Sequence, residues 1–469
     1  MTDTAPVLFA NDQTLTPIRA VHLDLKGLPP TPERLLALLD LFAHLRYNAV
    51  LVEWEDMFHW TIDPRFRCET SYTPNQISAF LARAKSLNID VIPLVQCLGH
   101  METFLRPPEY AHLREIPHLC DVINPLHPES RALVERLVDD VLALMPDVKY
   151  FHLGGDEAWT FGTHPDTRAY IARHGKGALY LHHVQPLLDK LNAKNIRPIL
   201  WHDMMIEWDD ASLQKLSSSA DLCVWGYGET PDETEHHYAT RHIERFHTNG
   251  VKMWGATAYK GADGHNVDVP DIAKRQHNAL GWADIAVRFP LRGLIATAWS
   301  RYNTNVQQCE PIDGALDALA MVAVLLHDGA PPESGLDTCL TFLTSTGEGN
   351  RLAFCKSTLE RISTLRKQVW TAVQDVRERL ALVQHDPRRT GSAQQSRRCA
   401  ELEKTLSELD SAAATLHQAL LGCVDPLWIT RYLDERISPL RAEFETLRPQ
   451  TLQLDPQPPT TPPATTPSA

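Results

Sequence analysis

An apolar run ending in two glycines and two adjacent carboxylates, YFHLGGDEAW at 150–159, is the sharpest chemical signal in this sequence. Glycines there let the backbone turn closely beneath a ligand. Asp156 and Glu157, at an irregular strand end, can address different atoms of one bound molecule. Their mutual repulsion favours keeping a proton on one of them, above all if that one is partly buried. A general acid needs that property. The pair also reads as a helix N-terminus, where carboxylates complement the dipole. Taken alone, the two residues leave both readings open.

Four tryptophans shift the balance. ILWHDMM, VWGYG, KMWGA and TAWSRY place Trp201, Trp225, Trp254 and Trp299 at the ends of four successive strand-like runs. Aromatic faces at one rim suit the apolar face of a sugar ring, and polar neighbours suit its hydroxyls. Any single tryptophan also suits a core. Asp24, Glu53, Glu55 and His100 stand at or just past other run ends, and His202, Asp203 and Tyr259 share the runs of Trp201 and Trp254.

The elements that must position these residues alternate in type. Strand-like runs are IRAVHLDLK, NAVLVEWED, IDVIPLVQ, VKYFHLGGDE, IRPILWHD, LCVWGY, VKMWGATAY and LRGLIATAWS. Helical patterns at 31–41, 73–88, 128–146, 180–195, 233–249 and 314–329 separate or close them. Short apolar runs without polar alternation suit a sheet buried on both faces, which requires helical crossovers. Eight such repeats predict an α/β fold, a (β/α)8 TIM barrel, whose site lies at the C-terminal strand ends. The competing doubly wound sheet usually carries a glycine-rich phosphate loop after its first strand; here that position reads DLKGLPPTPER.

Four segments follow: an N-terminal extension at 1–17, the barrel at 18–330, a helical C-terminal domain at 341–447 and a tail at 448–469. Leu352, Leu359, Ile362, Leu365, Val369, Val373, Val376 and Leu380 recur near helical spacing, and two further periodic stretches follow. These helices serve as scaffold or as a surface for homo-oligomer formation. The tail PQPPTTPPATTPSA is Pro/Thr-rich and is expected to be disordered.

A net charge of −14 disfavours nucleic acid and anionic membranes as partners. The start, MTDTAPVLFANDQ, lacks a basic segment followed by an apolar run, and the nine cysteines form no CxxC. Reduced thiols in a cytoplasmic protein are the expectation. No HExxH, tight His/Cys cluster or nucleotide loop is present, so neither metal nor cofactor is expected. His22, His100, His152 and His202 are expected in structural or sugar-binding roles.

HLGGDE resembles the motif of the family 20 glycoside hydrolases, the β-N-acetylhexosaminidases, and most closely their hexosaminidase D type. VHLDLKG at 21–27, EWEDMF at 53–58, VIPLVQCLGHMETFL at 91–105, AHLREI at 111–116, AYKGADG at 258–264 and WSRYNTNVQQCE at 299–310 support the resemblance. It spans about 18–327, nearly the whole barrel. It implies exo-acting, retaining hydrolysis of terminal β-linked N-acetylglucosamine or N-acetylgalactosamine. The substrate's own acetamido oxygen attacks C1 and forms an oxazolinium-like intermediate, so the protein supplies no covalent nucleophile. Carried onto this chain, Glu157 protonates the leaving oxygen and later deprotonates water, while Asp156 orients the acetamido N–H.

The resemblance also assigns substrate-binding positions. Trp225, Trp254 and Trp299 wall the acetamido pocket and sugar ring, Trp201 is a further substrate-binding candidate at the rim, and Tyr259 hydrogen-bonds the acetamido oxygen. Trp254 and Tyr259 also suit the core. His100 supports the carboxylates or a hydroxyl, and Asp203 binds a ring hydroxyl. Asp24, Glu53 and Glu55 hold the non-reducing end or position Arg301. Many family members carry an arginine near the first strand as a hydroxyl clamp; this chain has Lys26, and Arg301 is the candidate substitute. The partner implied is a small carbohydrate or glycoconjugate. Two alternatives are a barrel that binds amino sugars without hydrolysing them and a glycosidase for sugars lacking the acetamido group.

Overall fold

The computed structural model describes residues 8–264, 266–386, 388 and 393–453. Eight parallel strands close into a barrel in chain order: β1 (Ile18–Asp24), β2 (Ala49–Glu53), β3 (Asp90–Leu94), β4 (Tyr150–His152), β5 (Arg197–Trp201), β6 (Asp221–Trp225), β7 (Met253–Lys260) and β8 (Gly293–Ala298). Closure is by β8 against β1, with Ile18 opposite Gly293. The barrel predicted from the alternation is therefore the fold. Ala20, Ala49, Leu51, Ile92, Leu94, Ile199, Cys223, Ala256 and Ile295 form a buried cluster with Trp201 and Trp254. Small and branched residues alternate there, as a packed barrel interior requires.

Local chemistry sets the crossovers. Thr31 caps helix Pro32–His44 by accepting the Arg34 N–H. Thr73 and Gln76 form a reciprocal capping box on Pro74–Ser86. Helices Pro165–His174 and Ile272–Arg288 also lie between strands. The helical pattern at 233–249 is realised only over Thr240–Thr248. Before it, the Glu233 carboxylate accepts the Thr230 N–H at 3.1 Å, and the Thr240 N–H donates to Pro231 O at 2.9 Å. These bonds hold the chain in a loop that carries His236 and His237 to the rim.

The described residues form two compact units, 8–356 with Leu420–Trp428, and Ser357–Ala419 with 429–453. In the first, Leu8 and Phe9 are buried, and the Ala10 N–H donates to Asp328 at 2.7 Å. The second is made from helices Gly349–His385, Ala393–Leu420 and Pro426–Gln453, the first and third of which begin in the barrel unit. Leu359, Ile362, Val369, Val373, Leu409 and Leu416 are buried, as their spacing predicted. Arg448 pairs with Glu403 at 2.6 Å, and Arg377 with Glu443. The last helix runs six residues past Leu447, because the proline-dense stretch begins only at Pro456. The remainder of the expected tail, 454–469, lies outside the described residues, as do 1–7 of the N-terminal extension. Among the described residues no helix is long and apolar enough to cross a membrane.

Candidate active site

Strand β4 is only three residues long because the chain turns at Gly154 and Gly155, whose φ values are +60° and +82°. Side chains there are excluded by space as well as conformation. A Cβ on Gly154 would stand 1.8 Å from Gln96 Oε1, and one on Gly155 would stand 2.2 Å from the Tyr180 hydroxyl. The carboxylate pair therefore follows a left-handed turn instead of opening a helix, which removes the helix-cap reading. Glu157 itself has φ +46° and His100 has φ +53°. Such backbone for non-glycine residues costs about 1–3 kcal/mol each and persists where surrounding contacts over-determine it. At Glu157 one such contact is its N–H, donated to Asp203 Oδ2 at 2.9 Å.

His100 bridges the pair. Its Nε2 stands 3.5 Å from Asp156 Oδ2 and 3.4 Å from Glu157 Oε2. Burial lowers the imidazole pKa, but the Asp156 charge and hydrogen bonds to both carboxylates outweigh it and hold the pKa well above its ordinary value. Asp156 is buried, whereas the Glu157 side chain is 33% exposed. Asp203 braces the edge, since its other oxygen accepts the Trp225 indole N–H at 3.2 Å. Burial and the nearby Asp156 charge push the Asp203 carboxyl up to about 7, against those two hydrogen bonds.

These groups face a cavity of about 360 Å³ lined by Lys26, His100, Asp156, Glu157, Trp201, Trp225, Tyr227 and Trp299, and closed by Gly261, Ala262, Tyr302 and Asn303. Trp225 stacks on Tyr227 with centroids 5.4 Å apart, and Trp299 lies 6.0 Å from Trp201. Two buried polar atoms on this lining, Asp156 Oδ1 and the Trp201 indole nitrogen, lack a hydrogen-bond partner, while the Tyr227 hydroxyl interacts with the Thr297 and Trp299 side chains. Buried polar groups left unpaired are costly, so two facing one cavity mark where a ligand's polar atoms belong.

A charged network lies beneath. Lys26 Nζ is 2.6 Å from Glu53 and 3.5 Å from Asp24. Burial disfavours its charge, but Asp24, Glu53 and Glu55 outweigh burial and hold the ammonium protonated. Burial likewise opposes ionisation of Glu53, yet Lys26 and His22 keep it well below the usual carboxylate range. Gln96 donates to Glu53 at 3.2 Å and accepts the Gly155 N–H at 3.2 Å. Through Gln96 the ends of β2 and β3 hold the turn that carries Asp156 and Glu157.

Several expected positions prove to be elsewhere. Trp254 is the second residue of β7, at the opposite end of the barrel from the rim. It is fully buried in the core, with its indole N–H donated to Asp221 at 3.2 Å. Tyr259 is also fully buried and is not among the residues that line this cavity. Burial and the nearby Glu310 and Asp313 raise its phenol pKa. Tyr227 takes the cavity position instead; it lies two residues beyond Trp225 in the loop after β6, and its place in VWGYG, at a strand's C-terminal end, is the signal that could have found it. Asp24 and Glu53 support Lys26 and do not line the cavity, and Asp24 also accepts the Ser300 N–H at 2.8 Å. Arg301 donates its own N–H to Asp24 at 3.3 Å, and its guanidinium charge acts on Asp56 rather than lining the cavity. Asp203 lies behind Glu157 and Trp225. Glu55 is buried as well, with its carboxyl pushed up to about 8 by burial against the pull of Lys26. The histidines at strand ends take separate partners: His152 accepts the Gly154 N–H, His202 contacts His237 O, and His22 stands beside Glu53.

The position of Trp254 makes a direct prediction. Trp254→Ala should lower the unfolding free energy by about 3–5 kcal/mol, as truncation of a buried aromatic does. It should leave the KM of the folded fraction unchanged. Denaturant titration together with saturation kinetics checks both parts.

Comparison with known proteins agrees with this geometry. The model of the glycosyl hydrolase family 20 catalytic domain matches residues 59–244. Hexosaminidase D of Bos taurus is 34% identical over 322 residues, covering 66% of this chain and 92% of the relative. Hexosaminidase D of Homo sapiens is 32% identical over 323 residues, covering 66% of each chain. Among solved structures, Flavobacterium johnsoniae chitobiase superposes with a TM-score of 0.56 at 16% identity, covering 92% of this chain and 74% of that one. The exo β-N-acetylglucosaminidase of Vibrio harveyi gives 0.54 at 16% identity, covering 73% and 59%. The structural likenesses establish the fold, and the bovine relative, nearly all of which aligns, establishes descent. With a barrel rim that joins two carboxylates to an aromatic cavity, the chain belongs to glycosyl hydrolase family 20, the β-N-acetylhexosaminidases, as a relative of hexosaminidase D.

Proposed function

We propose that this protein is an exo-acting, retaining hydrolase of terminal β-linked N-acetylhexosamine that works by substrate assistance. The observation that carries the reading is the set of polar groups that line one cavity, Asp156 with an unpaired Oδ1, the unpaired Trp201 indole nitrogen and the Tyr227 hydroxyl. An acetamido group offers one N–H and one carbonyl oxygen. Asp156 Oδ1 accepts the former and the Tyr227 hydroxyl donates to the latter. Held between them, the carbonyl oxygen attacks C1 intramolecularly, and the entropy of bringing it there is spent in binding. The ionised Asp156 stabilises the positive charge that spreads onto the closing ring. Glu157, half-buried at the cavity edge, protonates the departing oxygen and then takes a proton from the incoming water. Trp201, Trp225 and Trp299 wall the ring. His100 is a positioning residue for both carboxylates. Lys26, with Asp24 and Glu53 beneath it, faces hydroxyls at the non-reducing end. A cavity of about 360 Å³ is at the small end of ligand sites and favours a single sugar residue.

A matched panel of aryl glycosides tests the reading. Aryl β-N-acetylglucosaminide or β-N-acetylgalactosaminide should be cleaved, and the corresponding β-glucoside should be slower by orders of magnitude. Binding without release of the aryl group would support a lectin-like barrel instead. Equal rates with and without the acetamido group would remove substrate assistance.

A further inference from the structure

AYKGADG at 258–264 and WSRYNTNVQQCE at 299–310 supply the wall residue Trp299 and the closing residues Gly261, Ala262, Tyr302 and Asn303. Two charged members, Lys260 and Glu310, are buried and are not among the residues that line the cavity. They tie the two segments together. The Lys260 ammonium, at the end of β7, donates to the Trp299 carbonyl at 2.7 Å and to the Ser300 hydroxyl at 3.3 Å. The Trp299 N–H donates to Lys260 O at 3.3 Å. One residue on, the Gly261 N–H donates to Glu310 at 2.7 Å, and Gly261 O accepts the Tyr302 hydroxyl at 2.5 Å. Asp24 holds Ser300 from β1, its main-chain oxygen accepting the Ser300 hydroxyl at 2.8 Å. An ammonium buried against neutral oxygens costs more than an apolar side chain of the same length. Fold stability alone is therefore a weak reason for a lysine at this position.

We infer that Lys260 is a positioning residue for the sugar-binding wall, fixing the main chain of Trp299 while Glu310 fixes Gly261 beside it. The inference rests on the proposed function, with the terminal sugar in the cavity. Trp299 is where position matters. Its ring lies 6.0 Å from Trp201, Lys26 Nζ stands 5.5 Å from its centroid, and its indole interacts with the Tyr227 hydroxyl. That hydroxyl is the donor assigned to the acetamido oxygen, and Lys26 faces the ring hydroxyls. A shift of the Trp299 main chain therefore displaces the ring wall and the acetamido donor together. Asp156 and Glu157 follow β4, and His100 follows β3, so the groups that move protons keep their places. The effect of losing the tie falls on how the sugar is held.

The experiment compares Lys260→Met, Glu310→Leu and Glu310→Gln with the unaltered protein on the aryl β-N-acetylhexosaminide that it cleaves fastest. The matching free sugar, N-acetylglucosamine or N-acetylgalactosamine, serves as competitive inhibitor. Methionine keeps the length of the lysine chain without its charge. Glutamine keeps an oxygen for the Gly261 N–H, and leucine does not. For Lys260→Met, KM and the inhibition constant should both rise about ten-fold, the mark of binding lost equally from ground and transition states. The pH profile and the dependence of the cleavage step on leaving-group acidity should match those of the unaltered protein. Glu310→Leu should behave likewise, and Glu310→Gln should recover most of the loss. Denaturant titration sets the folded fraction of each variant. Unchanged KM and inhibition constant in folded Lys260→Met would show a merely structural lysine and overturn the inference, as would a fall in kcat with altered leaving-group dependence. Should Lys260→Met not fold, the Glu310 pair decides, because equal KM values for its two variants would overturn the tie. If the unaltered protein cleaves no aryl β-N-acetylhexosaminide, the proposed function fails and the inference with it; cleavage by the unaltered protein with KM unmoved in the variants removes the inference alone.

Discussion

Glu157→Gln should cut turnover of a β-N-acetylhexosaminide with a poor leaving group by about 10²–10⁴-fold, the usual contribution of a general acid. Glutamine keeps the shape of the side chain and its place 3.4 Å from His100, but has no acidic proton to deliver. The loss should shrink as the leaving group becomes more acidic, because a phenolate that departs readily needs little protonation. Water activation in the second step depends on the same carboxylate, so steady-state turnover can stay slow while bond cleavage recovers. Pre-steady-state release of a series of substituted phenols separates the two. A loss independent of leaving-group acidity in the cleavage step would defeat the assignment of Glu157 as acid.

Asp156→Asn should cost about 10²–10³-fold in the cleavage step, on the scale of losing one electrostatic stabiliser of a transition state. Here the loss should persist with good leaving groups, since ring closure by the acetamido oxygen is impaired whichever group departs. The variant also removes a charge 3.5 Å from His100 that raises the imidazole pKa. His100 should therefore titrate lower in Asp156→Asn, which an NMR titration of its ring protons would read independently of activity. Because His100 contacts Glu157 as well, the two substitutions should not add. A double variant losing much less than the product of the single losses would show that the three side chains act as one unit; a fully multiplicative loss would show that they do not.

The primary sequence was sufficient for much of this protein. Apolar runs of strand length separated by helical patterns bury both faces of a parallel sheet, their number and the lack of a glycine-rich loop after the first favoured the barrel over the doubly wound sheet, and β1 to β8 follow those runs in order. HLGGDE located the carboxylates because its glycines answer a local requirement, a left-handed turn with no room for a Cβ at Gly154 or Gly155. Trp201, Trp225, Trp299 and His100 were legible because each stands at the C-terminal end of a strand or in the loop after it, where a barrel gathers its site.

Tertiary structure alone decided which end of a strand a residue occupies and what covers it. Trp254 and Tyr259 belong to the same apolar run, but β7 extends over Met253–Lys260, and at about 3.3 Å per residue Trp254 lies about 20 Å from the end of that strand. Tyr259 sits where the register between β7 and β8 shifts, at a bulge between Ala258 and Lys260, so counting along the run does not give its direction. Tyr227 lies just beyond β6, which ends at Trp225, and lines the cavity wall beside that residue. The support given by Asp24 and Glu53 to Lys26, and by Asp203 to Glu157, joins residues from different strands. Hydrophobic periodicity reports which face of an element is buried; it carries no information about the partner that a buried charge finds across the barrel.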